Sequence, residues 1–214
     1  MPWDGAPWPE LKPKFEAQMR SWFAERGIGH MWSRDARADS HENRAIYYRF
    51  NRPATPWTTE RMSRAKGAFQ GTFIQAIRAL TESGGELFES NHTDGRGGES
   101  HSPGVFCSPV FGYTGFYAWG TNVFNDGLFH GAVYDVVIDP QGLHKDNHRN
   151  IGGDNHEYRM KTTDVWLRGL WMLADKHVKE TKQRFYAWKR EQEILPPGKQ
   201  RPPNPNWPVL QVLS

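Results

Sequence analysis

Apolar positions along the chain fall into a few periodic segments separated by polar, glycine-rich or proline-rich stretches. Between Pro9 and Arg26, Leu11, Phe15, Met19, Trp22 and Phe23 recur at i, i+4, i+8, i+11 and i+12, one face of a helix that Gly27 ends. Pro13 is expected within its first turn, where a missing N–H does little harm. Residues 29–66 are polar, except for an apolar burst at Ile46–Phe50 that reads as a strand, and Asn51–Trp57, with two prolines, reads as a loop. Gly67–Gly71 reads as a short strand, followed by a helix whose apolar face carries Phe73, Ile74, Ile77 and Leu80 and which Gly84–Gly85 terminates. Brief strands follow at Glu86–Ser90 and Gly104–Ser108, then a short helix over Gly112–Trp119. Ala132–Ile138 is the strongest strand, rich in β-branched residues and ended by Asp139-Pro140. Beyond a polar loop to Asn155, strands are expected at Glu157–Lys161 and Val165–Met172, and a last helix over about Asp175–Glu193. Leu195–Ser214 carries six prolines and reads as a tail that packs onto something or stays mobile. Short strands with few helices between them indicate an α+β class, not a doubly wound sheet.

Composition narrows the setting. The 214 residues suffice for one well-buried domain with extensions. No stretch approaches the ~20 apolar residues of a membrane span. The opening residues lack a basic segment followed by an apolar run, so no secretory signal is expected. Cys107 is the single cysteine, which excludes an internal disulfide framework and a multi-cysteine zinc site. A reducing, intracellular setting, cytoplasmic or nuclear, fits best. Net charge is +3, with no run of Lys or Arg, so a strong nucleic-acid-binding field is not expected. Ten tryptophans supply large buried area, or surfaces that dock the tails onto the body or a partner.

Several candidate chemistries reduce to ordinary structure. His144 and His148 flank Asp146, with His156 nearby, but Pro140, Gly142, Gly152 and Gly153 argue against the helix a zinc pair at that spacing would need. The segment Asp94-Gly95-Arg96-Gly97-Gly98 reads as a surface loop, or as a cover placing Arg96 near a phosphate; no Gly-Lys-Ser/Thr follows, so it is not a P-loop. Cys107 reads as a small buried hydrophobe, and Ser102 and Ser108 lack the setting of an activated nucleophile. The basic residues of the last helix interleave with Glu180, Glu191 and Glu193, a solvated and salt-bridged face.

Three separated segments carry a more specific signal. They are Phe69-Gln70-Gly71-Thr72 leading into a helix, Gly104-Val105-Phe106-Cys107-Ser108-Pro109 with Thr114 and Tyr117 downstream, and Glu157-Tyr158-Arg159-Met160 before Val165-Trp166-Leu167. Taken in order, these resemble the NAD-binding core of the ADP-ribosyltransferases, in its poly(ADP-ribose) polymerase-like branch, over roughly residues 67–172. The first resembles the branch's aromatic-His-Gly-Ser/Thr motif, the second its Gly-Ile-Tyr-Phe strand, and the third its Glu-Tyr-Ile-Val strand. Two positions depart from the pattern: Gln70 stands where the branch has His, and Phe106 where it has the first stacking Tyr.

The resemblance implies two small, packed antiparallel sheets forming an NAD cleft, with residues 59–174 as the core. Residues 1–58 would be an N-terminal extension with one amphipathic helix, and residues 175–214 a C-terminal helix and proline-rich tail. NAD is then a substrate and no metal is required. Gly71 would bond the nicotinamide amide through its backbone, Thr72 would line the same site, and Thr114 would give a hydroxyl to the amide oxygen. Phe106 and Tyr117 would sandwich the electron-poor ring. Glu157 would be the catalytic carboxylate, stabilising positive charge that grows on the ribose. Gln70 would bond the adenosine ribose with an amide less rigid than imidazole. The activity implied is transfer of ADP-ribose, a glycosyl transfer, to a protein or nucleic-acid acceptor. Two alternatives stand beside it. One is a catalytically degenerate module that binds a nucleotide or serves as scaffold in an assembly. The other is an RNA 2′-phosphotransferase-like enzyme, which shares the fold and the strand resembling Val165-Trp166-Leu167.

Overall fold

The computed structural model describes residues 7–51, 56–72, 74–88, 104–114, 118, 123–124, 126, 128–142 and 158–175. Helix α1 (Trp8–Glu25) buries Trp8, Leu11, Phe15, Met19, Trp22 and Phe23 on the face that the spacing predicts. It begins one residue before the expected start. Pro13 therefore falls in the second turn, where it withholds an N–H from the Pro9 carbonyl. Gly27, at φ +66°, ends the helix, and Gly27 and Ile28 donate back to the Ala24 and Phe23 carbonyls at 2.9 and 3.0 Å.

Strands β1 (Trp32–Arg34) and β2 (Ala45–Phe50) lead to helix α2 (Thr59–Arg64), strand β3 (Lys66–Thr72) and helix α3 (Ala76–Glu82). Gly84 and Gly85, both at positive φ, close α3 in the same way as Gly27 closes α1. Strand β4 (Val105–Cys107), helix α4 (Phe111–Thr114), and strands β5 (Phe129–Ile138), β6 (Tyr158–Met160) and β7 (Val165–Asp175) complete the described elements. The fold is α+β with two antiparallel sheets, one of five strands in the order β1-β2-β7-β5-β3 and one of two, β4-β6. Residues 7–51, read from the sequence as part of an extension, contribute two strands to the larger sheet and a helix to its cover.

One face of that sheet presents Ile46, Tyr48, Leu170, Met172, Ala132, Tyr134, Val136 and Ala68, packed in a single core with α1 and with Ile77 and Leu80 of α3. The opposite face carries a smaller cluster of Ala45, Val133, Leu173 and Ala118, joined by Phe69, Phe111 and Trp171. Arg168 is an extra residue on β7, opposite the step from Asp135 to Val136. This bulge turns its guanidinium onto the Asp135 carboxylate, which also accepts from the Tyr47 hydroxyl at 2.8 Å.

Two expectations change. Glu86–Phe88, the described part of an expected strand, lies outside any strand. Its carbonyls are met by side chains instead: Ser83 donates to Glu86 at 3.1 Å and Thr162 to Leu87 at 3.0 Å. The short helix expected over Gly112–Trp119 begins one residue earlier, at Phe111, and its described part runs to Thr114. Residues of the last helix, the proline-rich tail, the Asp94–Gly98 segment and His144, His148 and His156 lie outside the described residues. Among the described residues no helix is long and apolar enough to cross a membrane.

The far ends of β5 and β7 are tied to α2 by charge. Asp139, almost fully buried, accepts from Arg61 at 2.8 Å and from Arg64 at 3.0 Å, while Arg61 also bonds Asp164 at 2.5 Å. The Arg64 guanidinium, helped by the Gln141 amide and Arg61, holds the Asp139 carboxyl at about 2. A carboxyl lowered in the folded state stabilises fully above its ordinary value near 3.8 and loses that contribution as pH falls toward 2. Denaturation between pH 5 and pH 2 should therefore show an acid loss of about 2 kcal/mol that Asp139→Asn removes. An unchanged acid slope in that variant would show that the clamp contributes nothing.

Candidate functional site

Among the described residues one backbone bridge joins the two sheets, between Phe69 on β3 and Ser108, the residue after β4. There the Phe69 N–H donates to the Ser108 carbonyl and the Ser108 N–H to the Phe69 carbonyl, each at 2.8 Å. Backbone polar groups alternate sides along a strand. Phe69 faces β4, so Gln70 faces β5, where Tyr134 is its partner, and the Gly71 N–H and C=O turn back toward β4. Continued in register, the bridge would set Gly71 opposite Phe106. Among the described residues no ladder joins Gln70–Thr72 to Val105–Cys107, and β4 pairs on its other side with β6. Among the described residues the pairing is not continued there, which leaves a gap in the ladder between Gly71 and Phe106.

The same register assigns side chains to faces. Phe106 shares the face of Ser108 and Phe69, and it is half-buried. Behind it, Phe69, Phe111 and Trp171 meet edge-to-face at 5.2–5.6 Å. On β6, Arg159 is opposite Phe106 and is buried on that face, close enough that a Cβ at Gly104 would lie 2.5 Å from its Cγ. Tyr158 is opposite Cys107 and packs with it against the main core. The residue before it, Glu157, lies outside the described residues, as does Tyr117. Thr114 is buried in α4 with its hydroxyl donating to the Phe111 carbonyl at 2.7 Å, a bond within its own helix and not one offered to a ligand.

Gln70 and Thr72 leave β3 on the opposite face from Phe106, toward Tyr134. The Gln70 amide oxygen is buried and has no hydrogen-bond partner among the described residues, whereas the buried Tyr134 hydroxyl has the Thr72 side chain beside it as a hydrogen-bond partner. Leaving such an atom unmet costs on the order of 1–3 kcal/mol. The structure thus gathers Gln70, Gly71, Thr72 and Phe106 around one parting of strands, but splits their side chains between its two faces. Tyr134 was not singled out by the sequence. Its signal was present all the same: in Ala132–Ile138 it is the one polar-tipped residue among Ala132, Val136 and Ile138 on that strand's core face.

A second buried polar group lies farther along the same sheet face. His130 is fully buried, stacked on Phe15 with ring centroids 4.8 Å apart, and its Nε2 sits 3.1 Å from Asp126. Burial opposes the Asp126 charge, yet contacts from His130, the Leu128 amide and Gln18 hold its carboxyl below the usual range. On the opposite face, burial raises the Asp135 carboxyl despite Arg168 and Tyr47. Both groups join elements of the fold: the first ties α1 to β5, the second β2 to β5 and β7.

No protein-family model matches the chain, and no curated protein is significantly similar to it.

Proposed function

We propose that the parting between β3 and β4 holds NAD, and that the chain is an ADP-ribosyltransferase-like protein passing ADP-ribose to a macromolecular acceptor in an intracellular setting. The observation that carries this reading is the register: the Gly71 N–H and C=O both face the gap, with Phe106 on its far side and β6 beyond. One donor and one acceptor on the same residue match a primary carboxamide, which needs a donor at its oxygen and an acceptor at its NH₂. Phe106 offers a ring face to the pyridinium. Glu157, next to β6 in sequence, supplies negative charge as the nicotinamide nitrogen–C1′ bond breaks. Nicotinamide leaves with the bonding pair, the acceptor's nucleophile bonds to C1′, and its proton passes to a carboxylate or to water.

A second reading keeps the nucleotide site without turnover. It is favoured by the Gln70 side chain, which leaves β3 on the face away from Phe106, and by Thr114, whose hydroxyl bonds its own helix. Incubation of the chain with labelled NAD and a lysate separates the two. Label transfer that Glu157→Ala abolishes supports the enzyme, and NAD binding without transfer supports the module.

A further inference from the structure

We propose that the edge of β1 docks an extended acidic segment of a partner protein, which adds to the sheet as a further strand and sets a carboxylate against Arg37 and Arg49. β1 ends the five-stranded sheet and, among the described residues, pairs with β2 alone. Two flanking bonds fix the alternation along it: the Asp35 N–H donates to the Tyr47 carbonyl at 3.1 Å, and the Asn51 N–H to the Met31 carbonyl at 2.8 Å. Ser33 therefore turns its backbone groups toward Arg49 on β2, and Trp32 and Arg34 turn theirs outward. The Trp32 N–H is taken by the Gly29 carbonyl. Among the described residues the Trp32 carbonyl and the Arg34 N–H and carbonyl have no backbone partner, the pattern that an added strand meets.

Charge beside this edge selects the occupant. Ser33, Arg34, Asp35, Ala36, Arg37 and Arg49 line an open recess of about 410 Å³. The Arg34 guanidinium is engaged by Asp39 and Glu16. Arg37 and Arg49 share a single carboxylate, Asp35, at 3.4 and 2.8 Å, so positive charge is in excess there. Their side chains are 91% and 62% exposed, and Asp35 uses only part of each guanidinium's donor set. It fixes the two cations in place and leaves donors for a second carboxylate. Ser33 and Arg49 are partners on the sheet face away from α1, since Trp32 and Tyr48 face the core. A residue added opposite Ser33 projects onto that same face, within reach of both guanidinium groups. Its two neighbours pair with Arg34 and Trp32. The segment that fits alternates apolar and acidic residues.

The test uses the full chain and a fluorescent peptide, Val-Glu-Val-Glu-Val, followed by anisotropy at physiological salt. The same peptide methylated on its valine backbone nitrogens, a Val-Lys-Val-Lys-Val peptide and a single-stranded DNA oligonucleotide are the comparison probes. Saturable binding of the acidic peptide is expected, weakened roughly tenfold or more by backbone methylation and by the double variant Arg37→Glu, Arg49→Glu. Both arginines are exposed, and the melting temperature of the variant serves as the folding control. The pair Arg78→Glu, Lys161→Glu makes the same change in net charge elsewhere on the surface and should leave affinity unchanged. No saturable binding up to millimolar peptide would overturn the inference. So would equal binding of the methylated or lysine peptide, or equal weakening by the second pair of variants, since strand pairing or local charge would then play no part. Tighter binding of the oligonucleotide than of the acidic peptide would overturn it in favour of a nucleic-acid contact.

Discussion

Replacing Glu157 by Gln is expected to leave NAD affinity nearly unchanged and to lower ADP-ribose transfer by about 10²–10³-fold. The carboxylate acts on charge that appears only as the glycosidic bond breaks, so its removal raises the barrier without loosening the ground state. The amide keeps the size of the side chain and its acceptor oxygen, which limits the change to charge. Calorimetry gives the affinity, and nicotinamide release gives the turnover. An active protein indifferent to Glu157→Gln would put the active site elsewhere. A wild type that binds NAD but does not turn over would point to Gln70 as the degenerate position. Gln70→His would then be the variant that restores the branch's pattern.

Phe15→Ala should destabilise the fold by about 3–5 kcal/mol. Phe15 is 2% exposed, stacks on His130 at 4.8 Å, and meets Phe124 and Trp8 with centroids 6.3 and 6.4 Å away. Truncation would open a cavity between α1 and β5, beside the buried His130–Asp126 pair, which cannot collapse without dislodging a charged group. The prediction bears on organisation as well as stability, because it treats α1 as part of the core that covers the larger sheet. Chemical denaturation measures it. A loss below about 1 kcal/mol would mean that the helix behaves as a dispensable appendage.

Local pattern explains what could be read from the sequence. The face of α1 is set by its own spacing, and Gly27, Gly84 and Gly85 stop helices because they adopt positive φ cheaply. The Val-rich β5 is likewise local. Pairing is not: Ala45–Arg49 lie beside Gly169–Leu173, more than a hundred residues away, and nothing nearby in the sequence announces this. Trp32–Arg34 is too short and polar to show alternation, so β1 was unreadable. At the site, the three segments were found by resemblance, while the direction of the Gly71 backbone needed the Phe69–Ser108 bridge. The pairing of Gln70 with Tyr134 emerges only when β3 and β5 are in register.

The most direct test of an NAD site between β3 and β4 is the melting temperature of the wild type and of Phe106→Ala, each with and without NAD. At a hundredfold excess over Kd, a ligand that binds only the folded state adds about 2.7 kcal/mol, or roughly 5–10 °C for a chain of this size. Phe106→Ala should weaken binding by about 1–3 kcal/mol of lost stacking, and so roughly a third to nine-tenths of that rise should disappear at the same NAD concentration. No shift in the wild type at millimolar NAD, or an equal shift in the variant, would contradict the account.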